Sequence, residues 1–308
     1  SSTRSAPVLD CQKKLGGGSE AGAAILVNSG NSNAFTGRNG TLAVEAITAA
    51  TANACHVPQS RIFTASTGVI GEPLPFDKIT AHLETLATSL TPSGIEAAAL
   101  AIMTTDTFPK GAGAKVDIDG KTVSISGIAK GSGMVAPDMA TMLVYIFTDA
   151  KIAQPKLQAI VSDLNARTFN CITVDSDTST SDSLIVAATG ASDVDVSASP
   201  EFAEALHNVM LNLAHQAGED PNWGRVVMAV GKSGAAADRD LLSIRFGDVT
   251  VAENGWVSPG YDETKAAAHM KGQELSINVD IGLGTGTSTV WTCDLTHGYI
   301  AINADYRS

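Results

Sequence analysis

At 308 residues, with 44% apolar but only 5% aromatic side chains, the chain is long enough to bury a sizeable core built from small residues. A net charge of −12 with no basic cluster argues against nucleic acid or an anionic membrane as partner, and no apolar run is long enough to span a bilayer. Four scattered cysteines without a CxxC pair and six histidines without HxH or HExxH spacing predict free thiols and no metal site. The opening Ser1-Ser2-Thr3-Arg4 lacks a Met and nothing after it reads as a signal peptide, which predicts a processed or trimmed chain.

In chain order, Ala23 to Asn28 reads as a buried strand running into a dense turn-former cluster, Asn28 to Gly37. There each Asn is read as a structural turn residue. Thr41 to Cys55 has helical spacing, with Leu42, Val44, Ile47 and Ala50 as its apolar stripe. Arg61 to Ala65 is a short strand ending in a Ser66-Thr67-Gly68 loop. Such a loop can present a hydroxyl and a backbone N–H to a developing oxyanion, though most tripeptides of this kind are only turns. Asp77 to Leu90 reads as one helix with Ile79, Leu83, Leu86 and Leu90 on one side. Ala97 to Thr105 fits either a helix or a strand, ended by Asp106, Thr107 and Pro109, and the two hydroxyls next to the Asp fit polar ligands or a plain cap. Lys115 to Lys130 is a hairpin about Asp119-Gly120.

The stretch Lys130 to Leu143 is the most distinctive. A Gly/Pro-rich loop stops at Thr141 and an apolar strand, Met142 to Thr148, follows at once. This sets a hydroxyl residue where a loop meets a buried strand. A threonine nucleophile needs a base, and its own α-amine can serve if the chain is cut before it. Beyond it, Gln154 to Thr168 is an amphipathic helix. Phe169 to Ser183 holds Asp175, Asp177 and Asp182 among seven hydroxyl residues and lacks the Gly and distal Glu of a calcium loop, so it is read as a hydrogen-bonded loop near the site. Leu184 to Ala188 is a strand. Pro200 to Gln216 is a long helix with Phe202, Leu206, Val209, Met210 and Leu213 toward the core, and His207 and His215 on it are read as packing residues. Gly218 and Pro221 end that helix, and Glu219 and Arg225 then lie in a loop before a strand at Val226 to Val230. Leu242 to Val257 reads as a hairpin, Tyr261 to Lys271 as a short helix and Glu274 to Ile302 as strand-rich. Mixed elements throughout, without repeats or linkers, predict an α+β layered body in a single unit over 1–308.

Seven blocks carry a more specific signal: Asn28–Gly37 (NSGNSNAFTG), Ser66–Pro75 (STGVIGEPLP), Ile102–Lys110 (IMTTDTFPK), Lys130–Leu143 (KGSGMVAPDMATML), Phe169–Ser183 (FNCITVDSDTSTSDS), Gly218–Arg225 (GEDPNWGR) and Ile302–Ser308 (INADYRS). Together, in this order and over nearly the whole chain, they resemble the ornithine acetyltransferase family, the arginine-biosynthetic glutamate N-acetyltransferases. Members usually carry a further segment ahead of the stretch like RSAPV, so the resemblance implies a truncated chain. It also implies a layered αββα sandwich with mixed sheets. It implies self-cleavage between Ala140 and Thr141, giving an α chain (1–140) and a β chain (141–308) in an α2β2 heterotetramer.

By the same resemblance, Thr141 takes the acetyl group of N-acetyl-L-ornithine and passes it to L-glutamate. Thr67 and Gly68 match the oxyanion hole, and Thr104, Lys130, Thr141, Glu219, Asn303 and Ser308 match substrate-contact positions. No metal or nucleotide cofactor is implied, although acetyl-CoA serves some members as a second donor. The implied compartment is the cytoplasm, or the mitochondrial matrix for a fungal source. Two other readings remain open here. One is an amidohydrolase or aminopeptidase of the N-terminal-nucleophile type, with water as acceptor. The other is an inactive scaffold that keeps the fold.

Overall fold

Strand β1 (Ala24–Asn31) and strand β2 (Ile62–Val69) of this computed structural model pair in parallel, in register from Ala24–Ile62 to Asn31–Val69. The structure describes residues 4–16, 22–104, 106, 108–131, 142–172, 179–215, 230, 233, 236–238, 240–269, 272 and 274–291. A parallel pair needs a crossover, and helix α2 (Gly37–Cys55) supplies it. The Asn-rich turn that feeds α2 is stitched by its own side chains, as the composition predicts. Asn33 Nδ2 donates to the Gly40 carbonyl at 3.1 Å, and Thr36 Oγ1 donates to Asn33 Oδ1 at 2.8 Å. The buried face of α2 runs through Ala43, Val44, Ile47 and Thr48, while Leu42 is exposed. The expected stripe is therefore rotated, because Ala43 and Ile47 pack beneath Leu26 of β1 and Leu74.

The second sheet has the order β3 (Lys110–Ile118), β4 (Lys121–Lys130), β5 (Leu143–Thr148), β6 (Ser183–Ala188). The first three strands are antiparallel neighbours, and β6 runs parallel to β5. The β3–β4 turn lies at Asp119-Gly120, both with positive φ, as the sequence predicts, but the hairpin reaches back to Lys110.

Alternation along these strands separates two faces. Val144 and Ile146 of β5 and Ile125 of β4 meet helix α7 (Pro200–His215) and helix α6 (Gln154–Ala166) in the largest core. Leu143 and Tyr145 of β5 and Ile128 of β4 meet Ala65, Ile25 and Val27 of the first sheet, with helix α5 (Ile95–Ala101) beside them. The layers are thus α2, the β1–β2 sheet, the β3–β6 sheet and α6 with α7, the expected αββα sandwich in an α+β chain. The five predicted core residues of α7, from Phe202 to Leu213, are all at most 1% exposed. Helix α1 (Ala6–Lys14) flanks β2, with Lys14 Nζ donating to the Ile62 carbonyl at 2.9 Å. A third sheet has its own small core about Leu242, Ile244, Phe246 and Val251. Among the described residues no helix is long and apolar enough to cross a membrane.

Several boundaries differ from the sequence reading. The expected helix Asp77–Leu90 is two short ones, α3 (Phe76–Thr80) and α4 (Leu83–Thr88), with Leu86 and Leu90 exposed. Ile79 packs on the core cluster beneath α2 and Leu83 is buried, whereas among the described residues no core cluster includes Leu86 or Leu90 to hold one continuous stripe. Ser66, Thr67 and Gly68 are strand residues, because their pairing with Asn28, Ser29 and Gly30 carries β2 past Ala65. Residues 242–257 form three strands instead of two, β7 (Ser243–Phe246), β8 (Val249–Glu253) and β9 (Trp256–Val257). Helix α8 (Glu263–His269) begins two residues after its pattern does, and of Glu274 to Ile302 only β10 (Ile277–Asp280) is a strand among the described residues. Of the strand expected at 226–230 only Val230 is described, and it is helical.

Candidate functional site

Where β2, β4 and β5 end side by side, the small side chains of β2 leave room for a long one from β4. Lys130, the last residue of β4, is 3% exposed and its ammonium reaches across to the first sheet. It donates to Thr67 Oγ1 on β2 at 3.2 Å and to Thr104 Oγ1 beyond α5 at 3.0 Å. A hydroxyl that accepts a bond from an ammonium keeps its own hydrogen for donation, polarised by the charge. Among the described residues neither hydroxyl donates its own hydrogen to an acceptor.

Gly68, next to Thr67, has φ +130°, and a Cβ on it would lie 2.2 Å from the Gly30 carbonyl carbon. Only glycine lets β1 and β2 approach this closely at the site. Three of the expected site positions (Thr67, Thr104 and Lys130) are therefore brought into direct contact, with Gly68 adjoining. Ala140, Thr141, Glu219, Asn303 and Ser308 lie outside the described residues, as do Asp175 and Asp177. Met142, the residue after Thr141, is buried, and the strand after it sits in register with Lys130 through Leu143.

Two acids frame the lysine. Asp106 accepts from the Gly131 N–H at 2.8 Å through Oδ1, from the Thr104 N–H at 3.3 Å through Oδ2, and from Lys110, whose ammonium is equally buried. Burial alone would raise the Asp106 carboxyl, but the charge and hydrogen bond of Lys110, the Gly131 N–H and the charge of Lys130 together hold it below its ordinary value. Burial pushes the Lys130 ammonium down, with Lys110 adding to that, while Asp106 and Asp182 oppose it. Asp182 accepts from the Met142 N–H at 2.8 Å, and burial raises its carboxyl well above the ordinary range despite that bond and the Lys130 charge.

A surface lysine is the default for any Lys, and burial removes that alternative for Lys130. Sequence reasoning assigns Asp106 only to the end of an element, whereas in the fold its main work is electrostatic. Lys110 was not singled out, although its spacing of four from Asp106 was a usable signal. Asp182 was placed in a structural loop, and it is bonded to the head of β5. Among the described residues no three His, Cys, Asp or Glu side chains converge as metal ligands.

Fold and site together define a layered αββα protein with a buried lysine–hydroxyl cluster at the seam of its two central sheets. The chain belongs to the ArgJ family, whose model matches residues 1–217 and 215–308. It is 61% identical to the arginine biosynthesis bifunctional protein ArgJ of Ruegeria pomeroyi, over 100% of this chain and 86% of that protein. The protein of the same name in Gluconobacter oxydans is 49% identical, over 98% of this chain and 82% of its own length. The Ruegeria alignment runs over 350 positions against the 308 residues of this chain, so at least 42 of its positions hold none of them. Among solved structures, that of the ArgJ protein from Bacillus halodurans is 28% identical at a TM-score of 0.47, covering 53% of this chain and 98% of that one. An ornithine acetyltransferase from Mycobacterium tuberculosis, complexed with ornithine, is 31% identical at a TM-score of 0.37, covering 44% of this chain and 72% of its own.

Proposed function

We propose that this chain is a glutamate N-acetyltransferase that moves an acetyl group from N-acetyl-L-ornithine to L-glutamate through an ester on Thr141. The observation that carries the reading is the buried Lys130 ammonium donating to the Thr67 and Thr104 hydroxyls. Such a cluster suits a small ligand with a carboxylate and a carbonyl in one water-poor place. Membership of the family, and the names of its relatives, support arginine biosynthesis as the setting.

In the precursor the Thr141 hydroxyl attacks the Ala140 carbonyl. The C–N bond breaks, the nitrogen takes the hydroxyl proton, and the resulting ester is opened by water to free the α chain (1–140) and the β chain (141–308). The new α-amine, with an ordinary pKa of about 7.7–8.0, then serves as the general base. It takes the Thr141 hydroxyl proton as the oxygen attacks the acetyl carbonyl, and returns it to the nitrogen of departing ornithine. The glutamate amine attacks the ester in turn and restores Thr141.

In this reading Thr67, through its polarised hydroxyl, and Gly68, through its N–H, receive the oxyanion. Lys130 holds the substrate carboxylate, Glu219 the substrate ammonium, and Thr104, Asn303 and Ser308 complete the contacts. Acetyl-CoA, which the family resemblance allows as a second donor to glutamate, is included in the proposal as a co-substrate to be assayed beside acetylornithine. We further assign the chain to the cytoplasm and to an α2β2 assembly, with the two products forming one catalytic unit.

The test is Thr141→Ala. Wild type should run as two pieces on a denaturing gel and convert acetylornithine and glutamate to acetylglutamate, while the variant stays whole and inactive. Two pieces or undiminished transfer in the variant would overturn the assignment. Acetate release independent of glutamate would point instead to hydrolysis.

A further inference from the structure

Met142 is held from both sides by neighbouring residues of one segment. Its N–H donates to Asp182 Oδ1 at 2.8 Å, and its carbonyl accepts from the Ser183 N–H at 3.1 Å. Below it the strands are locked by parallel pairing from Leu143–Ser183 to Thr148–Ala188. On its other side β5 is paired to β4 as far as Leu143–Lys130. The N–H of Met142 belongs to the same rigid plane as the Cα of the residue before it, since a peptide unit does not twist. Fixing that N–H therefore restrains the peptide unit through which Met142 is joined to the residue before it.

Asp182 is an expensive way to satisfy one amide. Among the described residues its second oxygen, Oδ2, has no hydrogen-bond partner, and it is out of contact with solvent although the residue as a whole is only partly buried. A buried polar atom left unpaired costs stability, and a backbone carbonyl or a hydroxyl would serve the Met142 N–H without that cost. The Lys130 charge acts on the same carboxyl, which ties Asp182 to the lysine–hydroxyl cluster.

The geometry points to Asp182 as a positioning residue for the Thr141 hydroxyl, acting by clamping the Thr141–Met142 peptide through the Met142 N–H. The clamp acts twice, in the precursor on the attack at Ala140 and in the mature protein on the attack at the acetyl carbonyl. It rests on the proposed role of Thr141. A reacting atom displaced by about 1 Å can lose roughly 100-fold in rate, which sets the size of the expected effect.

The experiment compares wild type, Asp182→Ala, Asp182→Asn, Asp182→Glu and Thr141→Ala. Cleavage is read on gels, folding by Tm, and kcat and KM for acetylornithine and glutamate are expressed per cleaved chain. Asp182→Ala should lose about 10–100-fold in kcat with KM within about twofold, or fail to cleave. Asp182→Asn keeps an acceptor at the same place and should stay within about threefold of wild type in both. Asp182→Glu, whose carboxylate is displaced by one methylene, should lose as Ala does, and this pair decides the matter if the Ala variant does not fold. A purely structural role would lower Tm and leave kcat per folded, cleaved chain unchanged. That result overturns the proposal, as does an Asn variant as impaired as Ala or a KM rise at constant kcat. Activity surviving in Thr141→Ala would instead sink the proposed function itself.

Discussion

Removing the Asp106 carboxylate should be among the most damaging single changes available near the site, and the cost can be worked from its partners. Asp106→Ala strips the Lys110 ammonium, itself 2% exposed, of its counter-ion and leaves the Gly131 and Thr104 N–H groups without their acceptor. Breaking a buried ion pair from one side costs about 3–5 kcal/mol, and an orphaned buried N–H costs about 1–3 kcal/mol. These do not add in full, because a stranded lysine can shed its proton and the loop at Gly131 can relax. We therefore expect a loss of about 3–5 kcal/mol at pH 7, a large share of the roughly 5–15 kcal/mol that holds an ordinary domain.

Urea titration reads this as a fall in midpoint at constant slope. A cycle through Lys110→Met and the double variant isolates the pair, and its coupling should approach the upper end of the about 0.5–3 kcal/mol seen for contacting residues. The pH dependence supplies an independent check. Asp106 is held below its ordinary value in the folded chain, so its stabilisation is complete above the unfolded pKa of about 3.9 and is lost as pH falls through the folded value. The gap between wild type and Asp106→Asn should close on acidification below about pH 3.9. A cost under about 1 kcal/mol, a cycle without coupling, or a gap unchanged between pH 7 and pH 3 would refute this account.

Two further changes test the packing that positions the site. Gly68→Ala drives a methyl against Gly30 backbone atoms at 2.2 and 2.6 Å and imposes a φ of +130° on alanine, so it should cost at least about 2–3 kcal/mol by Tm. It should also speed amide exchange at Asn31, whose backbone nitrogen lies 2.5 Å from the added carbon, and a neutral result would mean that the two strands separate freely. Phe202→Ala, at a residue with 0% exposure, should cost about 3–5 kcal/mol, whereas Leu90→Ala, 78% exposed, should stay within about 0.5 kcal/mol. Equal costs at the two positions would restore the single amphipathic helix that the sequence pattern suggests.

What the sequence made legible follows from the range of the interactions involved. The Asp119-Gly120 turn and the α7 stripe are written in near neighbours, and both formed where the pattern set them. The α2 stripe and the continuity of residues 77–90 depend on what lies opposite, so Leu42, Leu86 and Leu90 misled. Ser66 to Gly68 reads as a turn from composition alone, and parallel pairing with β1 makes it strand. At the site, residue chemistry alone offers Thr67 as an oxyanion donor, and only resemblance adds Thr104 and Lys130 as its companions. Their mutual contact spans 63 and 26 residues and no local pattern encodes it. Asp106 and Asp182 were undervalued for the same reason, since an acid in a hydroxyl-rich loop looks solvated until its burial is known.

The seam at Lys130 also bears on how the molecule tolerates a break. β4 and β5 are joined in sequence by residues 131–142, yet their pairing runs unbroken from Lys130–Leu143 to Ile125–Thr148. The chain therefore leaves the sheet and re-enters it at one level, beside the lysine. Core residues on both sides of that connection are shared: Val123, Ile125 and Ala129 come before it, and Val144, Ile146, Phe202 and Leu213 after it. A cut anywhere between the two strands leaves six ladder pairs and this core intact, so the sheet and not the peptide bond keeps the halves together. At one edge of that connection stands Lys130, its buried ammonium donating to the Thr67 and Thr104 hydroxyls.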